Sequence, residues 1–296
     1  MQITVIGLGK MGLNLTKQLL DKGHQLQGYD VNKAIYQSYS HPSLMYLESL
    51  EDLGGQSSPQ LIFSLLPAGK ITQATLSDLL NILQEGDRLI DFSNSNFKDS
   101  IQQAEHLAAK GIQYFDCGLS GGVEGARHGA CMMLGGLEYA DSDLLALLES
   151  VCVPSGFQAY EGVGSGHYLK MVHNGIEYGM MQSIAEGLEL LKEQGHFDYN
   201  LSAVTKNWEH GSIIESALLS NIHQELTRDV QLADFSNKVH ASGEAKWMVE
   251  EALEEEVPVP TIALSLMKRN ASLRELSYSN QVLSAMRYNF GGHTNA

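Results

Sequence analysis

Short apolar runs separated by amphipathic stretches dominate the first half of the chain. QITVIG, HQLQGYD, LIFSLLPAG, DRLIDFSNS and IQYFDCGLSGG read as strands, and CMMLGG as a further one. Between the first two, KMGLNLTKQLLDKG repeats its apolar positions at helical spacing and ends at Gly23. Helical stretches also precede the later strands. Strand and helix in alternation imply right-handed βαβ units and a parallel sheet. The expectation is an α/β, doubly wound domain over residues 1–166.

After Gly166 the texture changes. From Tyr168 onward the periodicity is helical, with GMMQSIAEGLELLKEQG and GEAKWMVEEALEEE as long helical segments and no convincing strand. VPVP at residues 257–260 separates two helices, because proline cannot continue a helix. The acidic run Glu254 to Glu256 reads as a solvated helix end. Residues 167–296 are therefore expected to form an all-α domain with a C-terminal tail.

Composition narrows the function. A length of 296 residues favours two domains, and 43% hydrophobic residues are enough for sizeable cores. The net charge of −16 argues against a nucleic-acid or anionic-membrane partner. An anionic substrate would need a deliberate cluster of the scarce Lys and Arg. Cys117, Cys131 and Cys152 form no CxxC pair, so they read as buried free thiols rather than as metal ligands or a disulfide framework. No apolar run reaches about 18 residues, and the chain opens on a strand with no leader ahead of it. A reducing cytoplasm fits this pattern.

Strand one runs straight into GLGKMG. Gly7, Gly9 and Gly12 form GxGxxG between a strand and a helix, where the glycines permit a tight turn, close approach to a pyrophosphate and close helix–strand packing. Asp30 closes the second strand, eighteen residues after Gly12, where an acid can bind the ribose hydroxyls of a dinucleotide. It would repel a 2′-phosphate, which points to NAD over NADP. The plainer alternative is that Asp30 only caps a turn with Asn32.

KMVHNGIEYG, residues 170–179, is the other chemically dense stretch. On a helix, Lys170, His173, Asn174 and Glu177 fall on one stripe, with Tyr178 at its edge. Met171, Val172, Gly175, Ile176, Gly179 and Met180 fill the remaining faces, and the two glycines, one turn apart, invite another helix. The helix is expected to be enclosed, with its polar stripe lining a cleft. A Lys and a Glu two turns apart can divide acid–base labour, while Asn174 and His173 can hydrogen-bond substrate hydroxyls.

At these residues the chain resembles 6-phosphogluconate dehydrogenase, in the short NAD-dependent decarboxylating branch of the β-hydroxyacid dehydrogenases. KMVHNGIEYG resembles that family's substrate helix, and GLSGGVEGARHGACMMLGG its Ser-Gly-Gly segment, here Ser120, Gly121 and Gly122. FSLLPAG resembles the nicotinamide-side loop, here Leu66, Pro67 and Ala68; DFSNSNF carries Asn94, which would contact substrate and cofactor. Leu8, Lys10 and Met11 complete the glycine loop.

The resemblance implies oxidative decarboxylation of 6-phosphogluconate to ribulose 5-phosphate, with Lys170 as base and then acid and Glu177 as the acid that protonates C1 of the enediol. Ser120, Gly122, His173 and Asn174 would hold the sugar acid. Tyr178, Arg269 in VPVPTIALSLMKR, and Arg287 and His293 of the C-terminal MRYNFGGHTNA would meet the phosphate. In the family the tail's Arg and His reach a neighbouring subunit's site, which implies a homodimer or homotetramer. ASGEAKW departs from the family's pattern: Ser242 and Glu244 stand where the long enzymes have a lysine and a threonine, and Lys246 is a candidate to compensate. Glu215 stands where an arginine is expected. The alternative is a sister dehydrogenase of the 3-hydroxyisobutyrate or tartronate semialdehyde type. A dinucleotide-sensing protein without catalysis would not need Lys170, Glu177 and Asn94 together.

Overall fold

A computed structural model describes residues 3–56 and 59–291, with side chains through Asn289. In chain order the elements are β1 (Ile3–Ile6), α1 (Lys10–Asp21), β2 (Leu26–Tyr29), α2 (Ile35–Ser38), β3 (Leu44–Tyr46), β4 (Leu61–Ser64), α3 (Lys70–Ile82), β5 (Arg88–Asp91), α4 (Phe97–Ala108), β6 (Gln113–Ser120), α5 (Gly122–His128), β7 (Ala130–Gly135), α6 (Ser142–Ser150) and β8 (Cys152–Tyr160). Helices follow: α7 (Ser165–Glu193), α8 (Leu201–Trp208), α9 (Ala217–Arg228), α10 (Glu244–Glu254), α11 (Pro260–Ser272) and α12 (Tyr278–Gly291). The chain divides into two compact units, Met1–His173 and Asn174–Ala296, with the division inside α7.

In the first unit the strands form one sheet in the order β3-β2-β1-β4-β5-β6-β7-β8. Neighbours are parallel except β6 and β7. β1, β4 and β5 are buried along their whole length, as expected for parallel strands covered on both faces. Alternate residues feed two cores. Ile3, Val5, Leu61, Phe63 and Ile90 pack with Leu15 and Leu19 of α1 and Leu144 and Leu148 of α6. Ile6, Ile62 and Leu89 pack with Leu76 and Leu79 of α3 and Leu107 of α4. Helices on both faces make this the doubly wound α/β fold expected from the alternation.

Two strands go beyond the sequence reading, β3 and β8, both near the sheet's edges. In the second unit α8 packs on α9 and α10 on α11. Pro260 sits at the first position of α11, where its missing N–H leaves no bond unmade. A small core joins Tyr178, Ala245 and Leu266, with Val249 against it. Gly175 faces Met248 of α10 and Ile262 of α11, so the helix approach expected at this glycine is present. Among the described residues no helix is long and apolar enough to cross a membrane, and no cluster of His, Cys, Asp or Glu could hold a metal.

Candidate active site

The cofactor residues collect where β1, β2, β4 and β5 end. The sheet order reverses between β1 and β4, and ligands of doubly wound sheets bind at the carboxyl ends of strands at such a point. Gly7 has φ +89°, and a Cβ there would strike the Leu65 carbonyl; a Cβ on Gly12 would strike the Gly7 carbonyl. Gly9 has nothing within 4 Å of a built Cβ. The loop is thus closed on its protein side and open outward. No side chain caps the N-terminus of α1 and no acid lies in its first turn, which suits the approach of a pyrophosphate. Leu8 is buried and Met11 half-buried against the core, so these two can offer backbone; Lys10 is exposed.

Asp30 caps its turn and also faces the glycine loop. Its Oδ1 accepts from Asn32 N at 2.7 Å, capping the turn, and its Oδ2 accepts from Leu8 N at 2.7 Å, turning the carboxylate toward the glycine loop. A carboxylate has about four acceptor sites, so lone pairs remain for ribose hydroxyls. Pro67 and Ala68 are exposed beside half-buried Leu66, and the Thr72 hydroxyl fixes the loop at 2.8 Å from the Pro67 carbonyl. Asn94 is exposed just after β5. The residues present fit a dinucleotide.

The substrate-side residues of this unit are set by a register between β6 and the start of α7. Side chains at 116, 118 and 120 share one face of the strand. Asp116, fully buried, accepts from Gly164 N at 2.5 Å and His167 N at 2.6 Å, anchoring the helix's first turn. Two residues on, Gly118 lies under the stem of Lys170, and two further on, Ser120 Oγ lies 3.1 Å from His173 Nε2. Lys170 is only 7% exposed. The His167 ring, also buried, lies 2.7 Å through Nδ1 from Ser100 Oγ and 3.1 Å through Nε2 from the Asp91 carbonyl. Gly121 and Gly122 are exposed with φ +114° and +63°, left-handed values that suit glycine and begin α5. Asp116, His167 and Asp91 escaped the sequence reading: no local spacing marks them, because their partners come from distant segments.

Beyond His173, α7 enters the second unit. Asn174 and Tyr178 are buried there and Glu177 is half-buried. The enclosure expected of this helix is incomplete: Ile176 is 50% and Met180 44% exposed. The Arg269 guanidinium stacks 3.5 Å from the centre of the Tyr178 ring and donates to the His240 carbonyl. Tyr178 Oη accepts from Ser242 N at 3.0 Å, and Ser242 Oγ donates to the carboxylate of Glu244, which is 3% exposed. Glu244, the acid that departs from the family's pattern, is therefore buried behind Ser242. Lys246 does not face it: it is exposed and pairs with Glu250 on its own helix at 3.4 Å. Arg287 is exposed on α12, and His293 lies outside the described residues.

The expectation of three buried thiols needs one correction. Cys117 is buried and Cys152 half-buried, but Cys131 is exposed. It stands directly opposite Ser120 across the β6–β7 ladder, so the two side chains share a face. Burial pushes the Cys117 thiol well above its ordinary range, and the Cys152 thiol up to about 12.

Comparison with known proteins agrees along the whole chain. Residues 2–155 match the family model described as the NAD binding domain of 6-phosphogluconate dehydrogenase, and residues 166–277 match that of the 6-phosphogluconate dehydrogenase C-terminal domain. A Haloferax volcanii protein named as NAD(+)-dependent, decarboxylating 6-phosphogluconate dehydrogenase is 38% identical over 99% of this chain and 98% of its own length. A Bacillus subtilis protein, provisionally assigned the same dehydrogenase activity, is 42% identical over the same shares. The Plasmodium falciparum 6-phosphogluconate dehydrogenase structure superposes with a TM-score of 0.80 at 29% identity, covering 98% of this chain and 65% of the Plasmodium one.

Proposed function

The chain belongs to the 6-phosphogluconate dehydrogenase family, and from that membership we propose that it carries out NAD-dependent oxidative decarboxylation of 6-phosphogluconate to ribulose 5-phosphate and carbon dioxide. The observation that carries this reading is the register of β6 on α7. It buries Lys170 against Gly118 and, one turn later, pairs His173 with Ser120.

The glycine loop, Asp30 and the Leu66–Ala68 segment would hold NAD, which would supply the hydride acceptor for C3 of the substrate. Lys170, as the free amine, takes the C3 hydroxyl proton as that C–H bond gives up its electron pair. The product is a β-keto acid. Lys170, now an ammonium, returns its proton to the C3 oxygen while the C1–C2 bond breaks and carbon dioxide leaves. An enediol remains. Glu177 protonates the carbon that lost the carboxylate, and Lys170 takes back the hydroxyl proton as the ketone reforms. One positioned amine therefore serves three proton transfers, and the carboxylate two helical turns along serves the fourth. Ser120, Gly122, His173 and Asn174 bind the hydroxyls and carboxylate, with Gly121 shaping the turn. Asn94 touches substrate and cofactor.

The phosphate is assigned to Tyr178 and Arg269, with Arg287 and His293 contributed by a second copy of the chain. Two features support a homodimer or homotetramer. Arg287 is exposed, and α12 with the segment before it exposes Leu276, Tyr278, Leu283 and Met286, which a lone chain would leave to water. The test is NADH formation and carbon dioxide release with 6-phosphogluconate, set against NADP and against 3-hydroxyisobutyrate. Turnover of 3-hydroxyisobutyrate without 6-phosphogluconate would replace this reading with that of a sister dehydrogenase.

A further inference from the structure

The turn after β2 carries a single cation, Lys33, in the stretch YDVNKAIYQS. It stands three residues beyond Asp30, where a cation could meet the 2′-phosphate of NADP. The structure turns it the other way. Lys33 Nζ donates to the Leu47 carbonyl at 3.1 Å, the Glu48 carbonyl at 2.7 Å and Tyr36 Oη at 2.9 Å. It also sits 4.4 Å from the centre of the Tyr29 ring and 4.8 Å from that of Tyr36. An ammonium has three protons, and all three are engaged on the protein.

The same contacts tie the Asp30 turn to the chain that follows β3. Tyr36 Oη accepts from Asp30 N at 3.1 Å and donates to the Leu47 carbonyl at 2.8 Å, and its ring stacks on Tyr46 with centroids 4.1 Å apart. Val31, by contrast, is 83% exposed and adds no packing to the turn. With its backbone fixed at Tyr36, Asp30 keeps one carboxylate oxygen on Leu8 of the glycine loop.

We propose that Lys33 is a positioning residue for cofactor selectivity: it latches the Asp30 turn to the Leu47–Glu48 backbone, presenting Asp30 to the ribose while withholding the turn's one ammonium from a 2′-phosphate. Selectivity for NAD then has two parts, a carboxylate that repels the phosphate and a lysine that is occupied elsewhere. This rests on the NAD reading above and goes beyond it.

The test uses the full-length protein with Lys33→Met, which keeps an apolar stem but removes the charge and its protons, and Tyr36→Phe, which removes the bridging hydroxyl and leaves the ammonium. NADH and NADPH binding are read from the fluorescence of the reduced nicotinamide, with circular dichroism as the check on folding. Both variants should lose NADH affinity, Lys33→Met on the order of tenfold as expected for charge-assisted hydrogen bonds, while NADPH stays as weak as before. The NADH-to-NADPH ratio then shrinks from the NADH side alone. A selective loss of NADPH binding in Lys33→Met would make Lys33 a phosphate ligand and overturn the proposal, as would unchanged affinity for both. A merely structural lysine would weaken the two cofactors in proportion, which also overturns it. Because no sugar acid enters this assay, a wrong substrate assignment leaves the result standing; absence of NADH binding by the unaltered chain would remove the cofactor reading and the Lys33 role together.

Discussion

Gly118 and Lys170 meet so closely that a methyl group on residue 118 would stand 2.6 Å from Lys170 Cβ and 3.2 Å from its Cγ. Cβ is fixed by the helix backbone, so α7 itself must move to make room. Displacements of about 1 Å at a reacting group can lower rates by about a hundredfold. Gly118→Ala is therefore expected to lower kcat at least about tenfold while the KM for NAD stays unchanged. Lys170→Met should abolish turnover and leave NADH binding intact. Steady-state kinetics and a cofactor titration check both; a normal rate in Lys170→Met would take the amine out of the mechanism.

The cysteines make a second prediction. The thiolate is the reactive form, and burial holds Cys117 and Cys152 as thiols, the latter with its pKa pushed up to about 12. Exposed Cys131 shares a strand face with Ser120. Iodoacetamide near pH 8 should give one early adduct, at Cys131 by peptide mass spectrometry, and a parallel loss of activity that bound 6-phosphogluconate slows. Cys131→Ser should keep its activity under the same treatment. Early labelling of Cys152 instead would contradict the burial argument.

Acid stability turns on Asp141, which caps α6. Its carboxylate accepts from Leu144 N at 2.8 Å and from Arg88 at 2.7 Å, and these bonds, the backbone one foremost, hold its pKa below the ordinary range. A depressed folded-state pKa stabilises the fold above the unfolded value and loses that contribution as pH falls through the folded one. Asp141→Ala should cost about 1 kcal/mol near neutral pH, mostly as a lost cap. The ion-pair part is small because the Asp141 side chain is 57% exposed. The two proteins' urea midpoints should converge below about pH 4; a constant gap down to pH 2 would show that ionisation is not involved.

What the sequence made legible follows from where each signal is stored. β1, β4 and β5 were readable because a strand buried on both faces is an apolar run. β3 is a three-residue strand at the sheet's edge, and β8 contains Pro154, Gly156 and Ser155 at φ +62°, so neither carries such a run. The glycine loop and the α7 stripe are local spacings and could be read directly. The Asp116 and His167 contacts could not, because each joins residues from separate elements. Cys131 departs from the general burial of cysteine because strand alternation beside buried Met132 turns it outward.

If Arg287 and His293 complete a second copy's site, removing residues 286–296 should raise the KM for 6-phosphogluconate sharply while cofactor binding and the thermal transition persist. The described part of this segment is exposed through Asn289, so its removal exposes little core. Mixing the truncated chain with a Lys170→Met chain offers a further check. Complementary mixed dimers should recover activity, since one copy supplies the intact amine and the other the intact tail. Full affinity in the truncated chain alone would end the shared-site idea.

Arg269 gives the sharpest test of the phosphate. Its guanidinium lies flat on Tyr178, 3.5 Å from the ring centre, while Nη1 donates to the His240 carbonyl and Nη2 lies 3.3 Å from Met181 Sδ. Stacking and these contacts fix the plane of the guanidinium, a geometry a lysine cannot copy. Arg269→Lys keeps the charge but loses the fork and the stacking, each contributing about 1 kcal/mol. The expected result is a fall of roughly ten- to thirtyfold in kcat/KM for 6-phosphogluconate. Gluconate, which lacks the phosphate, should be oxidised as slowly by the variant as by the parent. Equal losses on both substrates would mean that Arg269 supports the helices around Tyr178 rather than the phosphate, and the phosphorylated substrate would lose its main anchor in the second unit.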